Sequence, residues 1–170
     1  MTELRPLTLA DVDVDVFEVV TNIPATREPF QWFGFATRGL MRQRVLDGET
    51  ITDDRGQLAI TDDQGAFLGD VQWFTRTWGP RTSACWQLGI LLLPEHGGQG
   101  HGTAAQRLLV DYLFAHTRAE RVEAITDVDN AAELAALKRA GFQQEGVLRR
   151  ATWRDGGWHD MVLFSRLRGE

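Results

Sequence analysis

Between Pro94 and Ala105 the chain reads PEHGGQGHGTAA, four glycines in twelve residues directly after the apolar run Leu88–Leu93. Glycine inside a regular element costs roughly 0.5–1 kcal/mol of folding free energy. Such a density between a strand and a helix implies that something must come close to the bare main chain. A helix N-terminus offers free N–H groups and a partial positive charge, which is the chemistry that binds phosphate. A second group stands at Asn130 and Glu133, a helix N-cap and a first-turn carboxyl three residues on. Other arrangements are poorer. His96 and His159 have no carboxylate or cysteine at ligand spacing, so no metal site is expected. Ser165 has no histidine and acid pattern to make it a nucleophile.

The elements that must position these residues follow from pattern. LRPL reads as a short first strand, and Thr8 as the N-cap of a helix over TLADVDVDVFEVV. A helical, aromatic-rich region is expected around REPFQWFGFATRGLMRQRVLDG. Then GQLAITD, AFLGDVQWFTRTW and RTSACWQLGILLL read as strands of an antiparallel meander. GTAAQRLLVDYLFAHT carries apolar residues at 104, 108, 109, 112 and 113, the spacing of a helix. RVEAITDV is a strand, and NAAELAALKRAGF a helix closed by Gly141. The C-terminal stretch reads as a long hairpin turning at Asp155-Gly156-Gly157. The fold class is α/β in the α+β sense, one domain over residues 1–170.

Three readings of the glycine loop compete at this point. It can be a plain glycine-rich connection. It can be a dinucleotide fingerprint, since Gly100-x-Gly102-x-x-Ala105 fits the pattern and Asp127 ends the next strand. Against that, the strands before it form a meander rather than a βαβ unit, and PEHGG is too long for the tight first turn. The third reading is a family. LGILLLPEHGGQGHGTAAQRLL, DNAAELAALKRAGFQQEGVLR and WRDGGWHDMVLFSRL, in that order, resemble the GNAT acyl-CoA N-acyltransferases, near the ribosomal-protein N-terminal acetyltransferases. The resemblance covers residues 57–167. It implies a mixed, mostly antiparallel sheet of about seven strands with helices on both faces, splayed between its two central strands.

The resemblance implies acetyl-CoA as co-substrate, with no metal, and direct attack of an amine on the thioester. The family loop falls on Gly97 to Gly102. Its usual first Arg or Gln is Gly97 and its common Lys is Gln99, so two phosphate-binding side chains are absent. Backbone donors at Gly98, Gln99, Gly100, His101, Gly102 and Thr103 remain, since neither the N–H groups nor the helix dipole needs a side chain. His101 is a possible replacement cation. Leu91, Leu92 and Leu93 would supply the splayed strand that binds pantetheine and the oxyanion. Asn130 is either the helix cap or a ligand to the pantetheine amide. The family's catalytic places hold other residues here: Glu133 for the Ser, Leu137 for a Tyr, and Gln87 for a strand-borne Glu. Glu133 and Gln87 are the catalytic candidates, with Glu133 protonated if it is buried.

For the acceptor, Glu28, Trp32, Phe33, Trp73 and Trp153 are the candidates, with Asp155 and Asp160 as further anions. Rings in such number are most often core. The acceptor would be a peptide N-terminus or a small-molecule amine. The net charge of −6 argues against a nucleic-acid partner. The single Cys85 excludes an internal disulfide and fits a reducing cytoplasm. No leader or membrane span is visible, so the expectation is a cytoplasmic protein without a membrane partner, monomeric or homodimeric. The replaced catalytic residues keep one alternative of another class open: a degenerate domain that binds an acyl-CoA as a sensor or scaffold.

Overall fold

The computed structural model describes residues 1–9, 18–19, 21–27 and 29–170. Most of the helix expected after Thr8 lies outside the described residues, as does Glu28. Seven strands form one sheet: β1 Glu3–Pro6, β2 Arg55–Thr61, β3 Phe67–Thr77, β4 Ala84–Leu92, β5 Arg121–Asp127, β6 Gln143–Arg154 and β7 Gly157–Leu167. The order across the sheet is β1-β2-β3-β4-β5-β7-β6. Every neighbouring pair is antiparallel except β4 with β5. The described helices are α1 Pro24–Arg27, α2 Leu40–Leu46, α3 His101–His116 and α4 Ala131–Arg139.

The central parallel pair decides what the fold can do. β4 and β5 are in register only at Trp86–Val122, Gln87–Glu123 and Leu88–Ala124. From Gly89 and Ile125 onward the two strands part, although β4 runs to Leu92 and β5 to Asp127. Two strand edges with unpaired main-chain groups therefore face each other inside one sheet. That is the expected splay.

Strand alternation gives the sheet two unlike faces. Leu58, Val71, Trp73, Leu88, Val122, Ala124, Val162 and Phe164 join the core with Leu109, Leu113 and Leu137 of the helices. On β3 the intervening residues are Asp70 and Gln72, and on β2 the Gln57 side chain meets that of Asp70. The first face packs under α3 and α4, while α1, α2 and the chain around them border the second across a cleft.

Three local expectations are corrected. Among the described residues from 27 to 48, only Arg27 and α2 are helical, with turns and irregular chain over residues 29–39. A run of Pro, Gly and large rings explains the break. The buried stripe of α3 is Ala105, Gln106, Leu109, Val110 and Leu113, turned by one residue from the apolar positions counted in the sequence. Leu108 is exposed instead. The C-terminal hairpin turns on two residues, Asp155 and Gly156, both at positive φ (51° and 77°), with Arg154 paired to Gly157. That is the geometry an Asp-Gly turn favours.

Candidate active site

The glycine loop delivers α3 with an open N-terminus. Gly100 is the N-cap at φ 87°, a left-handed conformation that a side chain strains, and it leaves the cap without a side-chain acceptor. Ala104 is the first N–H of the helix to find a carbonyl, that of Gly100 at 3.1 Å. The N–H groups before it point out of the helix end. A Cβ on Gly102 would sit 3.4 Å from Leu92 Cδ1, so the first turn lies against β4. Side chains at the loop are otherwise engaged: Gln99 Nε2 donates to the Glu95 carbonyl at 2.9 Å, and His101 Nδ1 lies 3.0 Å from the Thr2 hydroxyl.

β4 sets which backbone groups face the gap. The Leu93 N–H donates to the Leu68 carbonyl at 2.9 Å, towards β3. Backbone groups alternate sides along a strand, so Leu91 also faces β3, while Ile90 and Leu92 face the gap. The Ile90 carbonyl accepts from Gln31 Nε2 at 3.0 Å, as that alternation requires. Of Leu91, Leu92 and Leu93, only Leu92 turns its main chain to the gap, and Ile90 joins it.

Across the gap, Asn130 Oδ1 accepts from the Glu133 N–H at 3.2 Å and caps α4. Glu133 Oε1 accepts from Gln106 Nε2 at 2.5 Å. Gln106 is fully buried on α3, and its Oε1 has no partner among the described residues. Burial raises the Glu133 carboxyl above its ordinary range, and the Gln106 bond opposes this. Leu137 packs in the core.

One cleft of about 410 Å³ opens at the parted strands, lined by Gly89, Ile90, Leu91, Ala124 to Asp127, Asn130 and Glu133 on the strand side. Phe30, Gln31, Phe33, Leu40 and Met41 wall the other side. Asp70 lies in the floor, 1% exposed, accepting from Gln57 Nε2 at 2.7 Å. Its Oδ1 is buried without a hydrogen-bond partner among the described residues. Burial pushes this carboxyl up to about 7, against the Gln57 bond and the charge of Arg27. Asp127, at the end of β5, binds Arg154 Nη2 at 2.7 Å, and Arg154 Nη1 reaches the Phe30 carbonyl at 3.1 Å. Burial pushes Asp127 up, but the Asp129 N–H, Arg154 and His159 outweigh it and hold it below the usual range.

The acceptor candidates separate. Phe33 lines the cleft. Trp32 does not line it, and stacks edge-on against Phe35 at 5.3 Å. Trp73 is core, its ring 5.8 Å from that of Tyr112. Trp153 pairs with Trp158 on the exposed hairpin. Gln87 Oε1 accepts from Arg76 at 3.0 Å and is absent from the cleft lining. Asp155 stands in the hairpin turn beside Arg154, and Asp160 accepts from the Arg150 N–H. The cleft residues missed in the sequence are Asp70, Arg27, Gln31 and Ile90. Their signal was there: Gln57, Asp70 and Gln72 alternate with Leu58, Val71 and Trp73, a polar sheet face.

A model of the acetyltransferase (GNAT) domain matches residues 2–143. The chain belongs to the GNAT acetyltransferase family. The match spans β1 to β5 with α3 and α4 and stops at the first residue of β6. "Probable N-acetyltransferase YjcK" of Bacillus subtilis is 33% identical over 112 residues, 66% of this chain and 60% of that protein. The chain spans between 45% and 60% of the length of four curated relatives that it matches. Among solved structures, spermidine N-acetyltransferase from Vibrio cholerae in complex with CoA and spermine superposes with a TM-score of 0.81. It is 17% identical, over 98% of this chain and 95% of that one. RimL, a ribosomal alpha-N-protein acetyltransferase in complex with coenzyme A, gives 0.80 at 19% identity, covering 98% and 93%. At such identities the likeness concerns the GNAT fold. Among the described residues no helix is long and apolar enough to cross a membrane, and no cluster of His, Cys, Asp and Glu could hold a metal ion.

Proposed function

We propose that this GNAT domain transfers the acetyl group of acetyl-CoA to a primary amine by direct attack. The observation that carries the reading is the parting of β4 and β5 after three paired residues, beside a helix N-terminus whose first amides have no carbonyl partner among the described residues. A pantetheine amide pairs naturally with the unpaired strand groups of Ile90 and Leu92, as an added strand would. The pyrophosphate suits the N–H groups of Gly98, Gln99, Gly100, His101, Gly102 and Thr103, with the helix dipole behind them. Since Gln99 and His101 are held by Glu95 and Thr2, this cradle is mainly backbone.

In the reaction the nitrogen lone pair forms a bond to the thioester carbonyl carbon, and the carbon–sulfur pair leaves with sulfur. Glu133 gives sulfur a proton and is reprotonated from the tetrahedral nitrogen. Burial of its carboxyl supports that role, because it favours the neutral form. Holding the reactants in one cleft supplies much of the rate, of order 7–11 kcal/mol in favourable intramolecular cases. Asn130 fixes the start of α4 and so the place of Glu133. Free thiol released from acetyl-CoA, followed over a panel of primary amines, tests the reading. Amine-dependent release with an acetylated product supports it, and CoA binding without release in every case supports a sensor instead.

A further inference from the structure

The cleft is lined by two groups of opposite charge, Asp70 and Arg27, with no ion pair between them. Asp70 Oδ1 is buried and has no hydrogen-bond partner among the described residues. Arg27 lines the same cleft, and burial lowers its pKa while the charge of Asp70 raises it. Its Nε donates to the Gln31 carbonyl at 2.9 Å, yet no ion pair joins it to a carboxylate among the described residues. A buried carboxylate with one oxygen unpartnered among the described residues and a half-buried guanidinium with no ion pair there are both costly. Both line one cleft and their charges act on each other without an ion pair, which makes the cleft a dipolar slot. A molecule carrying an ammonium next to an acid group satisfies both ends, and guanidinium recognises carboxylates by paired hydrogen bonds.

The walls fit the rest of such a molecule. Phe30, Phe33, Leu40 and Met41 surround the space above the slot with apolar surface. On the strand side, Asp70 is the register partner of Leu91, and the next residue of β4 on that face is Gly89. Its missing side chain leaves only Gln72 beside the floor, 3.1 Å from where a Cβ would stand. An amine seated on Asp70 is therefore next to the strand that parts from β5.

Resting on the acetyltransferase reading, we propose that the acceptor is a small zwitterion of the apolar α-amino-acid class. Its ammonium is taken by Asp70 and its carboxylate by Arg27. The ammonium gives one proton to Asp70 Oδ1, which passes it to solvent after turnover. The freed amine then attacks the thioester as above, so atoms and charge balance. Gln57 from β2 bonds Asp70 and the charge of Arg27 from α1 acts on it, while Arg44 from α2, Glu18, Asp127 and Glu133 line the same cleft. A base with a carboxyl near 7 is half ionised at neutral pH, which suits proton removal.

The test is kinetic: apolar L-amino acids, each against its amide and its decarboxylated amine, with acetyl-CoA. Wild-type protein should favour the free acids at least about tenfold in kcat/KM, a preference worth roughly 1.4 kcal/mol. Arg27→Gln should erase that preference and Arg27→Lys keep part of it. Asp70→Asn, which still accepts from Gln57, should lower kcat/KM for every amine by about 10²-fold and flatten its rise through pH 7. A wild-type preference for amides or plain amines overturns the proposal and leaves acetyl transfer standing. So does an unchanged ratio in Arg27→Gln, or an unchanged pH profile in Asp70→Asn. If nothing is acetylated although CoA binds, acetyl transfer fails, and calorimetry of the same amino acids on the CoA-loaded protein decides the slot. Binding that Arg27→Gln abolishes supports it, and no binding overturns it.

Discussion

At the scale of the residue, Glu133 and Asp70 are two carboxyls that burial raises, each against a bond from a glutamine amide. Glu133 faces the buried Gln106 amide at 2.5 Å and stands in the first turn of α4. Asp70 has Gln57 on one oxygen and, among the described residues, no partner on the other. If Glu133 protonates the departing sulfur, Glu133→Ala should lower kcat by about 10²-fold with little change in the KM for acetyl-CoA. Glu133→Ser should recover part of that loss. Steady-state kinetics on the pair decides it, since a mere helix-dipole partner would cost only about 0.3–1 kcal/mol of stability and leave kcat alone. Glu133 was readable in the sequence because a motif with fixed spacing frames it, from Asn130 to Gly141-Phe142. Asp70 sits in no motif, and only the partner strands show that its neighbours on that face are also polar.

At the scale of the element, the loop before α3 carries the cofactor argument. No atom lies within 4 Å of a Cβ built on Gly100, so the fold leaves room there, and the constraint is its φ of 87° and whatever approaches the amides. Gly100→Val should abolish CoA binding in calorimetry while circular dichroism still reports a folded domain. Gln99→Lys should tighten CoA binding by placing a cation at an exposed loop position, and the gain should shrink as salt rises. Unchanged affinity in Gly100→Val would remove the backbone cradle. The strand and helix order from β2 to β7 was legible because turn residues and apolar periods repeat along it. What was not legible had tertiary causes. The stripe of α3 turned by one residue because Gln106 is drawn inward to Glu133, and the chain between α1 and α2 stays irregular while its rings and carbonyls serve the cleft. Leu91 and Leu93 face β3 rather than the gap because pairing parity, invisible in a run of three leucines, sets which side each backbone group takes.

At the scale of the whole molecule, the buried floor of the cleft makes stability depend on pH. The carboxyl of Asp70 rises to about 7 on folding, so the folded chain holds that proton more tightly than the unfolded one. The contribution is fully present at acid pH, below the ordinary Asp value of about 4, and is lost as pH rises through 7. Asp70→Asn should therefore raise Tm relative to wild type by an amount that grows between about pH 4 and 7 and levels off above, as thermal unfolding across that range would read. An advantage that shrinks with rising pH would mean that Asp70 is stabilised as an anion.

The central claim, that the parted strands and the open helix end together carry acetyl transfer, is tested most directly by thiol release from acetyl-CoA, with mass spectrometry of the amine. The account predicts release that depends on the amine, a product heavier by one acetyl group, and loss of both in Gly100→Val. Tight CoA binding with no acetylated product from any primary amine would contradict it.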